Sequence, residues 1–469
     1  MNILNFIGGK FCEGEKGEWL DNVCPATGQV YSKVVASGVE DVRRACEAAD
    51  LAFDSWKKTE AKQRASLLRE LGHLVQRDLK SLALAESKDQ GKTLEQAEKG
   101  DLPRVVKNFE FFSDYALKLS KERFRGEGGG DNHISHHPLG VVAAIVPWNL
   151  PLYLLTWKLA PALAMGNCVV AKPSELTPMT AFLFCKLVQE AGFPPGVVNV
   201  IHGEGARMGD ALTTHPKIKA VSFTGSTQTG THIHKVAAES GHPLKKISLE
   251  MGGKNPNIIF ADCDLERTLE ATLRSSFANQ GEVCTCGPRV FVEKDLYEDF
   301  KRELLVRIPG FPQGALVSEA HLQKVMDYVA LAQREGGRIL CGGKRKEGPG
   351  FYLGPTVIEG LDRDSPVNRE EIFGPVITLT PFETEEKAIL LANSVDYGLS
   401  ATIHTRDLER ARRVAQALEV GMVWINDWMK RDLRTPFGGV KRSGLGREGG
   451  QWALHFYTEA KNICYPETL

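Results

Sequence analysis

A thiol and a carboxylate, each set among glycines and each following strand-like apolar residues, carry most of the chemistry this sequence can do. The carboxylate lies in Leu249-Glu250-Met251-Gly252-Gly253-Lys254-Asn255-Pro256, and the thiol in Asn279-Gln280-Gly281-Glu282-Val283-Cys284-Thr285-Cys286-Gly287. Such a pair suits covalent catalysis at a carbonyl: a thiolate attacks, and a carboxylate prepares the water that later releases the product. The attack builds a tetrahedral oxyanion, which needs hydrogen-bond donors aimed at it. Asn149, in Pro147-Trp148-Asn149-Leu150-Pro151, offers a neutral amide that donates without titrating. Each residue taken singly has a plainer reading. Cys286 is a competing thiol, Glu250 could be an ordinary strand-end charge, and Asn149 between two prolines could shape a turn.

A cofactor site also reads from the chain. No Gly-x-Gly-x-x-Gly follows a strand-like segment. Instead, Val221-Ser222-Phe223-Thr224-Gly225-Ser226-Thr227 describes a strand passing through a glycine turn into a helix. The N–H groups and dipole of that helix start suit a phosphate, although the same turn can simply cap its helix. Lys172-Pro173-Ser174-Glu175 puts a lysine and a carboxylate just past a strand's C-terminal end, where open α/β sheets bind ligands. Glu175 there can accept both hydroxyls of an adenosine ribose and would repel a 2′-phosphate, which favours NAD over NADP. No metal site is expected. Cys284-Thr285-Cys286 is too tight for zinc, and His133, His136 and His137 have no matching ligand set beside them.

The elements that must position these groups follow from pattern. At 469 residues the chain is expected to form two or three domains. A net charge of -1 gives no electrostatic case for nucleic acid or an anionic membrane as partner. The N-terminal residues lack a secretory pattern, and no apolar run reaches the roughly 20 residues that span a bilayer. A cytoplasmic protein is therefore expected, its ten cysteines reduced. The first hundred residues read as mainly helical, with Ser37 a capping candidate and amphipathic segments over 61–87 and 94–119. The glycine-rich stretch 125–132 reads as a loop. Strands are then expected at 141–146, 168–172, 197–201, 220–223 and 246–250, with helices between them. One of those helices would open with Thr177 as N-cap and Pro178 at its first position, and close at Gly192. This alternation predicts a mostly parallel sheet covered on both faces. A second α/β region follows, with strands at 257–260, 290–292, 376–379, 401–404 and 422–426, and a terminal strand at 457–465.

These motifs, in this order and with these flanks, resemble the aldehyde dehydrogenase superfamily over nearly the whole chain. The resemblance implies a Rossmann-like NAD-binding domain from 1–118 and 139–250 and an α/β catalytic domain over 251–446. It adds a small β oligomerisation ribbon from 119–138 and 447–469, and with it a homodimer or homotetramer. It assigns Cys284, rather than Cys286, as nucleophile, Glu250 as the base that activates water, and Asn149 as an oxyanion donor. Glu250 also favours release of an acid over transfer to coenzyme A. The implied NAD contacts are Pro147, Trp148, Lys172, Glu175, Phe223, Gly225, Ser226, Gly252, Glu371 and Phe373. Within the superfamily, the wording of 87–93, 147–158 and 431–434 most resembles the muconic semialdehyde dehydrogenases, which oxidise 2-aminomuconic or 2-hydroxymuconic semialdehyde. Those substrates carry a carboxylate at the end away from the aldehyde, and Arg104 and Arg431 are the arginines suited to grip it. A betaine-type or general aliphatic aldehyde is the alternative substrate. A non-catalytic NAD-binding or structural protein of the same fold is the alternative of another class. The stretch 297–321 looks shorter than the family pattern, a change outside every site motif.

Overall fold

Strands Val141–Ile145 and Cys168–Lys172 are buried at every position, as strands covered by helices on both faces must be. They centre an 8-stranded sheet in a computed structural model that describes residues 1–119, 122–241 and 244–467. The order is Gly444–Leu445, Lys246–Glu250, Ile218–Thr224, Val141–Ile145, Cys168–Lys172, Val198–Val200, Asn5–Ile7 and Lys10–Cys12. From Lys246–Glu250 to Val198–Val200 all neighbours are parallel, while the outer pairings are antiparallel. The chain winds outward from Val141–Ile145 to Val198–Val200, then returns to set Ile218–Thr224 on the other side. That reversal opens a crevice at the C-terminal ends of Val141–Ile145 and Ile218–Thr224, where doubly wound sheets take ligands.

A second, 7-stranded sheet runs Arg338–Cys341, Thr356–Glu359, Val376–Phe382, Arg289–Glu293, Pro256–Ile259, Ser400–His404, Met422–Ile425, and only its first strand is antiparallel to its neighbour. Glu250 ends a strand of the first sheet and Pro256 begins one of the second. The carboxylate therefore sits where the chain crosses between sheets, and the thiol loop leads into Arg289–Glu293. A hairpin of Glu122–Arg125 and Asp131–Pro138 forms a separate 3-stranded sheet with the C-terminal strand Thr458–Tyr465, which pairs with Asp131–Pro138. The glycine-rich loop is the turn of that hairpin. Residues 120–121, 242–243 and 468–469 of the expected segments lie outside the described residues. Among the described residues no helix is long and apolar enough to cross a membrane.

Several local expectations are corrected. The first 35 residues are strands, from Asn2–Ile3 to Gln29–Val35, whose partners include distant Val198–Val200. Ser37 does not cap: the helix Val39–Trp56 begins after Gly38, whose N–H donates to Asp41, while the Ser37 hydroxyl accepts from Asn5 at 2.7 Å. Thr177 does not cap either. Its hydroxyl is buried without a partner, Pro178 precedes the helix Met179–Glu190, and Asp89 accepts the Met179 N–H at 2.6 Å. The segment 61–87 divides at Asp78 into Ala61–Arg77 and Leu79–Gln90. Residues 94–119 contain a π-helical turn, Ala97–Asp101, before the helix Leu102–Leu117.

Candidate active site

Cys284 follows a strained turn. Within Ala278–Gly281, Asn279 (φ 51°) and Gln280 (φ 56°) adopt left-handed backbone angles that are unfavourable for residues with a Cβ. Packing holds them there. Gln280 Nε2 donates to the Ala315 carbonyl at 3.2 Å, and a Cβ on Gly281 would lie 2.2 Å from the Gly374 oxygen. Asn279 Nδ2 donates to the carbonyls of both Asn149 and Glu282 at 3.1 Å. Asn149 Nδ2 donates to the same Glu282 carbonyl at 2.9 Å, so the amide and the thiol loop are already tied together. On the other side, Asn255 Nδ2 donates to the carbonyls of Cys284 (2.8 Å) and Cys286 (2.6 Å). Cys286 is buried in an apolar cluster with Val283 and Trp428.

Two cavities meet at Cys284. The larger, about 240 Å³, fills the crevice of the first sheet and is lined by Pro147, Trp148, Asn149, Gly225, Ser226, Gly252, Glu371 and Phe373. The smaller, about 30 Å³, has walls of Tyr153, Trp157, Met429, Arg431 and Phe437. Leu154, Thr224, Glu250, Met251 and Cys284 line both. The structure thus brings together all three catalytic candidates. Other candidates stand apart from the cavities. Lys172 pairs with Glu175 at 3.1 Å outside the lining, and Phe223 is buried beneath Gly225, where an added Cβ would come within 2.4 Å of its ring. Arg104 lines neither cavity but stacks on the Tyr153 ring at 5.6 Å. A wider surface groove of about 860 Å³ beside Trp452 is lined by none of the candidates.

The electrostatics separate two neighbouring carboxyls. Glu448 is fully engaged: Trp157 Nε1 donates to it at 2.6 Å and Lys158 Nζ at 2.8 Å. Both Glu250 carboxyl oxygens are buried without a partner. Burial holds the Glu250 pKa well above the usual carboxylate range, Glu448 adds to the rise, and Lys158, Arg447 and Arg431 oppose it. Burial also pushes the Cys284 thiol up to about 12, with Glu371 and Glu250 adding and Arg431 opposing. Arg431 packs against the Trp157 ring (4.1 Å) and the Phe437 ring (4.2 Å) and donates from Nη1 to the Tyr153 hydroxyl. Its Nη2 is buried without a partner.

Comparison with known proteins decides the family. The model of the aldehyde dehydrogenase family matches residues 11–463. The chain belongs to that family. This aldehyde dehydrogenase is 47% identical to 2-aminomuconic semialdehyde dehydrogenase of Danio rerio, over 98% of this chain and 97% of the relative. It is 43% identical to 2-hydroxymuconic semialdehyde dehydrogenase of Pseudomonas sp. (strain CF600), over 98% and 99%. Among solved structures, betaine aldehyde dehydrogenase of Staphylococcus aureus in complex with NAD+ superposes with a TM-score of 0.95 at 37% identity, covering 100% of this chain and 95% of that one. The α/β architecture expected from the sequence is that of the family.

The dehydrogenase has further cleft residues that its sequence did not advertise. His321 and Lys324 line the larger cavity from the first turns of the helix Glu319–Arg334. His321 Nε2 lies 2.7 Å from the Phe373 carbonyl, and its ring meets Trp148 edge-on at 5.1 Å. Burial lowers its pKa to about 4, so at neutral pH it is uncharged and donates to that carbonyl from Nε2. Phe373 has φ 63°, and this contact helps to hold it. The spacing His321-x-x-Lys324 at a helix start was the one signal in the sequence, and it does not by itself mark a cleft.

Proposed function

We propose that this enzyme oxidises a semialdehyde bearing a distant carboxylate, 2-aminomuconic or 2-hydroxymuconic semialdehyde, to the carboxylic acid with NAD. The observation that carries the substrate class is Arg431. A guanidinium nitrogen with no partner, buried in an aromatic cavity beside Cys284, calls for an anion. A cationic, betaine-type aldehyde would be repelled there. The names of the relatives above support the same substrate class.

The cleft also fits the cofactor. Only glycine at 252 permits the approach of Glu371, whose Oε2 would be 1.9 Å from an added Cβ. Glu371 Oε1 accepts the Gly253 N–H at 3.0 Å, which orients the carboxylate for ribose hydroxyls. Phe373, Trp148 and Pro147 line the same cavity as apolar surface, joined there by His321 and Lys324. Gly225 and Ser226 open the helix Thr227–Glu239 and would face the phosphates. Lys172 and Glu175 lie past the Cys168–Lys172 strand and would take the adenosine ribose, with Phe223 supporting the turn from below.

In the mechanism, the Cys284 thiol gives up its proton to solvent, and the thiolate sulfur attacks the aldehyde carbon. The carbonyl oxygen becomes an oxyanion that accepts from the Asn149 amide and the Cys284 N–H. Glu371 and Phe373 would hold NAD, which would supply the acceptor for the hydride leaving that carbon, and the acyl group remains on sulfur as a thioester. Glu250 then takes a proton from water as it adds to the thioester, the C–S bond breaks, and the acid departs. A non-catalytic role would leave this set without purpose. We also assign the enzyme to a reducing compartment, the cytoplasm, consistent with its free cysteines, and infer a homodimer or homotetramer built through the ribbon.

The test is NADH formation from 2-hydroxymuconic semialdehyde against an uncharged aldehyde of similar length, in wild type and Arg431→Ala. The variant should lose about 10²-fold in kcat/KM on the carboxylated substrate only, as expected for one half of a buried charge pair. Equal rates on both aldehydes, unmoved by the substitution, would sink the substrate assignment and leave the chemistry standing.

A further inference from the structure

One short segment outside the cavities grips both halves of the site. Lys92 follows the helix Leu79–Gln90 and a left-handed Gly91 (φ 92°), and its side chain is wholly buried. Its ammonium pairs with Asp101, itself 4% exposed, and donates to the Asn149 carbonyl at 3.0 Å. Two flanking residues reach the thiol loop. Gln90 Nε2 donates to the Glu282 carboxyl at 2.6 Å, and Gln96 Oε1 accepts the Asn279 N–H at 3.1 Å. The Asn149 carbonyl is therefore held by Lys92 from one side and Asn279 from the other. Asp101 closes the π-helical turn Ala97–Asp101, a rare geometry that tends to mark functional positions.

Stability alone does not account for this pair. Desolvating two charges offsets most of their attraction, and an apolar pair of similar volume would serve the core as well. What an apolar pair cannot supply is a donor to the Asn149 carbonyl. The peptide that Lys92 fixes is the one whose residue carries the amide aimed at the oxyanion, and misplacement of such a donor by about 1 Å can cost about 10²-fold in rate.

We propose that Lys92, anchored by Asp101, is a positioning residue that sets the Asn149 amide for oxyanion stabilisation. The inference rests on the reading of Asn149 as an oxyanion donor. The experiment is a double-mutant cycle on the full chain, using the better of the two aldehydes above. Lys92→Met should lower kcat by about 10-fold to 10²-fold, with aldehyde KM and NAD affinity little changed. Adding Lys92→Met to Asn149→Ala should slow the enzyme by no more than about threefold, because the amide it positions is gone. Lys92→Met/Asp101→Leu removes both partners of the ion pair together, and should match the wild type in Tm while keeping the kcat deficit.

Additive losses in the cycle, or wild-type kcat in the doubly neutral variant, would overturn the inference. So would failure of both Lys92 variants to fold, which would make the pair a folding element. An Asn149→Ala enzyme of unchanged kcat would instead remove the oxyanion assignment, and this inference with it.

Discussion

Glu250 and Glu448 show how one apolar setting can give two carboxyls different work. Glu448 accepts from Trp157 and Lys158, while Glu250 has no donor and is held towards its neutral form. A raised pKa suits a base that must give up and regain a proton near neutrality. It also has a stability cost with a definite sign. An unfolded glutamate loses its proton near about 4.3, whereas folded Glu250 keeps it to higher pH. The stability contribution is whole below the unfolded value and is lost as pH rises towards the folded one. Glu250→Gln lacks that slope, so its Tm advantage over the wild type should widen from acid to neutral pH. Steady-state oxidation should fall by about 10²-fold or more, while a first burst of NADH survives because thioester formation precedes hydrolysis. A Tm difference flat in pH would mean that Glu250 is not held neutral, and an absent burst would mean that it acts before the thioester. Cys284, Glu250 and Asn149 were picked out by their motifs together with the family resemblance, and the fold brings all three to one cavity. Lys158 and Glu448 were not, since they meet only across 290 positions of chain.

Turns, more than strands, set the distances in this site. The strands at 141–146 and 168–172 were readable from apolar runs, because a parallel strand buried on both faces is mostly apolar. The first three strands of the chain were not, because each is only two or three residues long. Ser37 and Thr177 had the composition of caps, yet carboxylates from Asp41 and Asp89 took the N–H groups instead. Tertiary contacts decided both cases, and a cap motif carries no information about them. Gly252 shows the same dependence on distant residues. Its missing side chain matters only because Glu371, far along the chain, occupies that space. Gly252→Ala should displace the Glu371 carboxylate and weaken NAD by about 10-fold to 10²-fold, the worth of charge-assisted bonds to ribose hydroxyls. Titration of NAD into the folded variant checks this, and unchanged affinity would mean that Glu371 does not hold the ribose.

At the scale of the whole molecule, the ribbon is the part that the single chain leaves unfinished. Every residue of Glu122–Arg125 is exposed, and the C-terminal strand is exposed after its first residue. Phe124, Ile463 and Tyr465 present large apolar side chains to solvent, at 58%, 40% and 47% exposure. A three-stranded antiparallel sheet with an open edge and apolar residues on display usually has something to pair with. A second copy of the chain is the occupant that the proposed assembly supplies. Phe124→Glu and Ile463→Glu change side chains that are exposed in the single chain, so the fold of each subunit should tolerate them. In the assembly the same charges would be buried without partners, which is strongly unfavourable. Sedimentation should therefore show the double variant shifted to a smaller species than the wild type at equal concentration, with Tm lowered by the lost association rather than by damage to either core. Because Cys284, Glu250 and Asn149 all lie on the cavities between the two large sheets, the smaller species should still form NADH. If the double variant kept the wild-type mass, the assembly would have to be built on another face, and the ribbon's exposed side chains would need a different partner.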